Sequence, residues 1–349
     1  MTAARGAGMD VAHAKVAVLG AGNWGTVVAD RVARNGREVT LWTRDAKVRD
    51  EVNLQHTNET AVPGLRLSPN VRAVTDPKDA LDKAELVFVI VPAQAMRDVC
   101  KTVGEHFRPY HFVVHGTKGL ELGTLARMSE IIHDETCIRQ LGMLSGPNIA
   151  PEIARGAPAG TVVVSHYPDV IRAAKAALTC DELMVFYGED VLGVEIASSL
   201  KNVVAIAAGI ATEMNVGENA KAFLVTRGLA EMTRIAVTMG GDPTTLSGLA
   251  GLGDLVVTCA SQHSRNHRIG RALARGVSLS QALEDLGMVA EGVSTSRAAH
   301  ELARDIGVEA PLLEAVYRII HEGQSAQAAV RDLMRTPAGR DVALFQSRA

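Results

Sequence analysis

Aromatic side chains make up only 3% of this 349-residue chain: two tryptophans, four tyrosines and six phenylalanines. So few rings leave little for stacking nucleic-acid bases, and a formal charge of −3 spread along the chain supplies no basic footprint for a phosphate backbone. Nucleic acid is not an expected partner. Cysteine is equally sparse. Cys100, Cys137, Cys180 and Cys259 lie far apart and form no C-x-x-C pair, so neither a zinc site nor a disulfide framework is indicated, and a cytoplasmic location is expected. His263 and His267 are four apart but lack the glutamate and third ligand of a metal site, so no metal is expected. No uninterrupted apolar run reaches the ~18 residues that suggest a membrane span. The best candidate, VEIASSLKNVVAIAAGIA from Val194 to Ala211, is broken by Glu195 and Lys201. The opening MTAARGAGMDVAHA has neither an apolar h-region nor an Arg/Ser-rich amphipathic pattern, and residues 1–14 read as a disordered leader.

What is present is an ordinary globular composition, 47% hydrophobic and 21% charged. The length suggests two domains. From Lys15 to about Gly188, short apolar runs alternate with helical segments: KVAVLG, EVTLWT, VRAV, ELVFVIVP, HFVVHGTKG, GMLSGP, GTVVVSH and LMVFYG. Runs apolar throughout, such as LVFVIV, suit strands covered on both faces, so a doubly wound, mostly parallel α/β sheet is expected over 15–190. Past Asp190 the pattern turns helical and rich in small residues, with Gly240-Gly241, Gly276 and Gly307 placed as helix C-caps. An all-α domain is expected over 191–340, with the hinge near 180–193.

The first strand runs into VLGAGNWGTVVADRVARNG, which sets Gly20, Gly22 and Gly25 in a G-x-G-x-x-G between a strand and a helix. Glycines there allow a tight turn, close approach of backbone to a pyrophosphate and packing of helix on strand, while the helix N-terminus offers free N–H groups to the anion. A second strand at EVTLWT gives the motif the context that a lone match lacks. After that strand the chain reads Thr43-Arg44-Asp45. An arginine can pair with the 2′-phosphate of NADP, whereas an acidic residue suits the ribose of NAD; NADP(H) is favoured and NAD(H) stays open because of Asp45. Pro92, in VIVPAQ, marks where the chain leaves the sheet beside the nicotinamide end of the cleft.

Polar residues cluster at a few further places. Lys201 sits in the apolar helix with Ala197 and Ser198 one turn back and Val204 and Ala205 one turn on, so no carboxylate on that helix faces it. Either it snorkels to solvent or a partner comes from elsewhere. Lys118 in HGTKGLE and Asn148 in LSGPNIAPE follow strands, where carboxyl ends border a cleft; a solvated loop lysine is the equal alternative for Lys118. Asp254 follows two glycines in GLAGLGDLVV, and Ser264 is placed to N-cap a helix opened by Arg265 and Asn266, a combination suited to a phosphate. A capped helix with exposed polar residues is the plainer reading of the same stretch.

Taken in order, GAGNWG, the VP turn, GTKG, SGPN, SLKNVVAIAAG, RGLAEM, GLAGLGDLVVTC, SRN and AEG resemble the signatures of the bacterial-type NAD(P)-dependent sn-glycerol-3-phosphate dehydrogenases, over about residues 15–335. The resemblance implies a Rossmann domain followed by a helical domain similar to that of 6-phosphogluconate dehydrogenase. It implies reversible NAD(P)H-dependent reduction of dihydroxyacetone phosphate to sn-glycerol 3-phosphate, supplying the glycerophospholipid backbone. It makes Lys201 the acid/base, with Asp254 and Lys118 beside it. It carries substrate contacts onto Lys118, Gly146, Asn148, Asp254, Ser264, Arg265 and Asn266, and cofactor contacts onto Asn23, Trp24, Arg44, Lys118, Ala150, Arg265, Val289 and Glu291. The family often has threonine or serine where this chain has Asn148, a longer group that can still hydrogen-bond. A homodimer is expected from the small-residue helical half. The alternatives are a 3-hydroxyacid or 6-phosphogluconate type of dehydrogenase, or a non-catalytic NADP-sensing protein.

Overall fold

The computed structural model describes residues 14–335. The expected leader lies outside the described residues except for Ala14, which is buried, and so do residues 336–340 of the expected helical domain. All eight apolar runs form strands: β1 (Lys15–Leu19), β2 (Val39–Trp42), β3 (Val71–Val74), β4 (Ala84–Val89), β5 (Phe112–His115), β6 (Leu141–Ser145), β7 (Ala159–Ser165) and β8 (Leu183–Gly188). They make one sheet in the order β3-β2-β1-β4-β5-β6-β7-β8. Every pair is parallel except β6 with β7. The chain reverses there without a crossover helix, because only the short helix Ala150–Ala154 separates the two strands.

The apolar character of the central strands follows from their position. One face of the sheet packs residues such as Val16, Val18, Leu86 and Phe88 against the helix Asn23–Arg34 and its neighbours. The opposite face packs Leu19, Val87 and Val89 against Met96, Val99, Met128 and Ile131. A strand covered on both sides has no polar face to alternate with.

The second half is helical and forms around the helix Val191–Glu213, hereafter the central helix, in which all but three of the 23 residues are buried. Length and composition would let this helix cross a membrane, but 94% of its most apolar window is buried inside the protein. Its small residues have a definite use. A Cβ on Gly209 would stand 2.1 Å from the carbonyl oxygen of His267, and one on Gly270 would stand 2.0 Å from that of Ile206. The central helix and the helix Arg265–Ala274 therefore cross with backbones nearly touching, which only glycine permits. The expected C-cap glycines Gly240, Gly276 and Gly307 follow their helices with positive φ, while Gly241 does not. Two helical segments lay hidden in the sequence: the π-turn Leu249–Gly253 leading into the helix Asp254–Ala260, and Ala326–Arg335.

Candidate active site

The strand carboxyl ends and the helical half enclose a cleft of about 760 Å³. The glycine loop forms its floor. Gly20 has φ +117°, and a Cβ there would meet the Ile90 carbonyl oxygen at 2.1 Å; a Cβ on Gly25 would meet the Gly20 carbonyl oxygen at 1.9 Å. Gly22 meets nothing within 4 Å. The outer glycines thus pack the turn and its helix, and the middle one keeps the surface open to a ligand. The helix Asn23–Arg34 begins there with no side chain capping its first N–H groups, and its first residues, Asn23, Trp24 and Gly25, line the cleft. Such an end fits the pyrophosphate of a dinucleotide, by its free donors and by the positive end of the helix dipole. Asn58 holds the loop from behind, donating to the Ala21 carbonyl at 3.0 Å and to Thr26 Oγ1 at 2.9 Å.

At the tip of β2, Asp45 is committed. Its carboxylate accepts from Lys47 N at 2.8 Å and caps the helix Ala46–Gln55. Arg44 beside it is exposed in the cleft wall. The ambiguity in the sequence is thereby reduced, since Asp45 has structural employment and Arg44 stands exposed at the cleft. Pro92, Ala150 and Val289 also line the cleft. Glu291 does so with one oxygen accepting from Ala93 N at 3.1 Å and the other buried without a partner. Burial pushes the Glu291 carboxyl above the ordinary carboxylate range, against the opposing effects of the Ala93 N–H and Arg265. A buried carboxylate oxygen without a partner, on a residue that lines the cleft, fits an amide donor such as the nicotinamide carboxamide.

Across from the loop, Lys201 has found its partner. Its Nζ donates to Asp254 Oδ1 at 2.6 Å and to Thr258 Oγ1 at 2.7 Å. Lys118 Nζ donates to the other oxygen, Asp254 Oδ2, at 2.6 Å and to the Gly146 carbonyl at 3.3 Å. One buried carboxylate therefore bridges two ammonium groups from opposite halves of the chain. Burial, helped by the charge of Lys118 and resisted by Asp254, pushes the Lys201 ammonium down to about 8. Burial likewise pushes Asp254 upward, but the two ammonium groups prevail and hold it below the usual carboxylate range. Lys201 does not snorkel: it is 5% exposed.

The third wall is the start of the helix Arg265–Ala274. Ser264 caps it, its hydroxyl accepting from His267 N at 3.3 Å, as the sequence suggested. Arg265 is exposed on the cleft wall. Asn266 is largely occupied: it donates to Asn202 Oδ1 at 2.9 Å and accepts from Gly292 N at 3.0 Å, tying three helices together with one amide hydrogen to spare. Asn148 donates to Thr161 Oγ1 at 3.0 Å and leaves its Oδ1 unpartnered. Gly146 is the one expected contact residue that is absent from the cleft wall; it stands behind Lys118. Of the two histidines, His263 is on the wall and His267 is buried, with Nε2 3.2 Å from Thr212 Oγ1.

Sequence reasoning missed Thr258 and Asn202. Thr258 lies one helical turn beyond Asp254 and donates back to the Asp254 carbonyl at 2.5 Å, so its position was legible only once Asp254–Ala260 was known to be a helix. Asn202, next to Lys201, touches Asn266, a contact 64 residues away that no local pattern announces.

Comparison with known proteins places both halves in one family. The model of the NAD-dependent glycerol-3-phosphate dehydrogenase N-terminus matches residues 15–170, and that of the C-terminus matches residues 190–331. A glycerol-3-phosphate dehydrogenase of Anaeromyxobacter dehalogenans, named for NAD(P)+, is 45% identical over 323 residues, covering 92% of this chain and 97% of its own. One of the same name from Exiguobacterium is 42% identical over 327 residues, covering 93% and 96%. The crystal structure of glycerol-3-phosphate dehydrogenase from Coxiella burnetii superposes with a TM-score of 0.89 at 34% identity, covering 93% of this chain and 99% of that one. With a glycine loop, a bridged lysine pair and a helix N-terminus around one cleft, and family matches over both halves, this chain belongs to the NAD-dependent glycerol-3-phosphate dehydrogenase family.

Proposed function

We propose that this chain interconverts dihydroxyacetone phosphate and sn-glycerol 3-phosphate, with NADPH as the favoured reductant and NADH accepted, and with Lys201 as the acid/base. The observation that carries the reading is the Lys118–Asp254–Lys201 bridge facing the glycine loop across one cleft. NAD(P)H, when bound, supplies a hydride to the C2 carbonyl carbon. As negative charge develops on the carbonyl oxygen, Lys201 donates a proton to it and is left as the neutral amine; in the reverse direction that amine takes the proton from the C2 hydroxyl. Such acid/base assistance is worth ~10²–10⁴-fold in rate. An ammonium whose pKa is about 8 gives up its proton more readily than a solvated lysine, and Asp254 holds it in place. Lys118, on the same carboxylate, keeps a second positive charge near the developing oxyanion.

Arg265 and the free N–H groups at the start of its helix suit the substrate phosphate, and gripping that remote group orients the carbonyl for attack. The Asn148 oxygen, unpartnered in the cleft wall, is free to accept from a substrate hydroxyl. Gly20, Gly22, Gly25, Asn23 and Trp24 would hold the pyrophosphate, Arg44 the 2′-phosphate, and Pro92, Ala150, Val289 and Glu291 the remainder of the dinucleotide. A cytoplasmic homodimer engaged in making the glycerophospholipid backbone completes the proposal. Unpaired thiols at all four cysteines and exposed side chains such as Phe223 support it.

The deciding experiment measures NADPH and NADH oxidation side by side with dihydroxyacetone phosphate and with carboxylate substrates of related dehydrogenases. Turnover of dihydroxyacetone phosphate, faster with NADPH, is expected. Reduction of a carboxylate substrate, with none of dihydroxyacetone phosphate, would overturn the proposal.

A further inference from the structure

Six residues before Lys201 the central helix carries another buried charge, one that the proposed chemistry does not touch and the cleft wall does not include. Glu195 is 3% exposed, and donors from the N-terminal half surround its carboxylate. Oε1 accepts from Ser129 N at 2.8 Å; Oε2 accepts from Ser129 Oγ at 2.7 Å and from Arg127 Nη1 at 2.7 Å. His115 Nε2 lies 3.3 Å from Oε1, close but short of a well-formed hydrogen bond. Burial works against the charge, yet the His115 ring, Arg127 and Ser129 together hold Glu195 below the ordinary carboxylate range.

The positions of these donors matter more than their number. His115 ends β5, three residues before Lys118. Arg127 and Ser129 stand at the start of the helix Met128–Glu135, where the loop that carries Lys118 comes to its end. Glu195 is therefore hydrogen-bonded to the far end of that loop, and the His115 ring at its near end lies beside the same carboxylate. Ser198, nearly one turn further along the central helix, meets Ser145 at the tip of β6, Oγ to Oγ 2.6 Å, and the next residue is Gly146, whose carbonyl receives Lys118. Stability alone gives little reason for such a cluster, because well-packed apolar residues commonly replace a buried ion pair at no loss. A carboxylate with three directed hydrogen bonds does what apolar packing cannot: it sets register and distance.

We propose that Glu195 is a positioning residue for the proton transfer, locking the Lys118 loop to the central helix so that Lys118 and Lys201 meet on the two oxygens of Asp254. The inference rests on Lys201 being the proton donor. Glu195 touches neither reacting atoms nor cofactor and acts through the two lysines. A displacement of an ångström at such a site costs on the order of a hundredfold in rate.

The test is Glu195→Gln, which keeps the volume but sets an amide donor against Arg127 or Ser129. It is read by kcat, by NADPH affinity and by the pH profile of reduction. Expected are unchanged NADPH affinity, a kcat lower by about ten- to a hundredfold, and movement of the limb due to Lys201. That limb is set by Lys201 with the groups facing it, Asp254, Lys118 and Cys259. A folded variant with wild-type kcat overturns the inference, as does a lower kcat with an unmoved limb, the result of general loosening. If Glu195→Gln does not fold, Arg127→Met, at a site 17% exposed, is read by the same three measurements with a smaller effect expected. Lys201→Ala is assayed alongside: turnover there removes the reading of the donor itself, whereas a dead Lys201→Ala beside normal Glu195 and Arg127 variants removes only this inference.

Discussion

In the proposed function Lys201 is the acid/base, and its environment makes two predictions. Lys201→Ala is expected to lower kcat by ~10²–10⁴-fold while NADPH still binds, measured by steady-state kinetics and fluorescence titration. Because burial pushes its ammonium down to about 8, the acid form needed for reduction is present below that value. Reduction should therefore decline as pH rises through about 8, whereas oxidation, which needs the neutral amine, should rise through the same range. Identical limbs in both directions would show that another group controls the rate. Arg44 carries a separate prediction: Arg44→Ala should weaken NADPH by about ten- to a hundredfold, the worth of a hydrogen bond to a charged group, and leave NADH little affected. Dissociation constants for the two cofactors decide it. At this scale the sequence announced a lysine without a carboxylate on its own helix. It could not supply the distance to Asp254, 53 residues away, nor which of burial and Asp254 would prevail.

The glycine-loop turn and the helix that follows it form the most legible element, since each glycine has a local reason. Gly25→Ala places a methyl 1.9 Å from the Gly20 carbonyl oxygen, and that close contact is with backbone rather than the end of a flexible side chain. It should cost 1 to about 3 kcal/mol or more of stability, as overpacking does, and weaken both cofactors together, read by thermal unfolding and titration. Equal weakening distinguishes this element from Arg44, whose loss is expected to affect NADPH alone. The helix Asp254–Ala260 is the opposite case. LVVT reads as strand by its β-branched residues, yet it is helical because Leu255 and Cys259 turn one turn apart into the core around the central helix. Only in that helix does Thr258 come under Lys201. Ser264 behaved as a local cap should.

For the whole molecule, the site exists because two halves of different architecture share a wall. The sheet brings Lys118 and the glycine loop to its carboxyl edge, and the central helix brings Lys201. Exposed Met184, Phe186 and Tyr187 on the edge strand β8, with Phe223 on the helical half, are apolar surface that a dimer could cover; light scattering at micromolar concentration should give twice the chain mass, and a monomer would remove that part of the proposal. What the sequence by itself determined is local and periodic: eight apolar runs long enough for strands, a glycine loop between strand and helix, and helix caps at Ser264, Gly276 and Gly307. These follow from steric and hydrogen-bonding rules that act within a few residues. Tertiary structure alone decided the reversal of β7 beside β6, the commitment of Asp45 to a cap, the occupation of Asn266 by its neighbours, and the bridge from Lys118 through Asp254 to Lys201. Each depends on groups brought together from distant parts of the chain, where burial and charge are properties of the packed molecule and of no single segment.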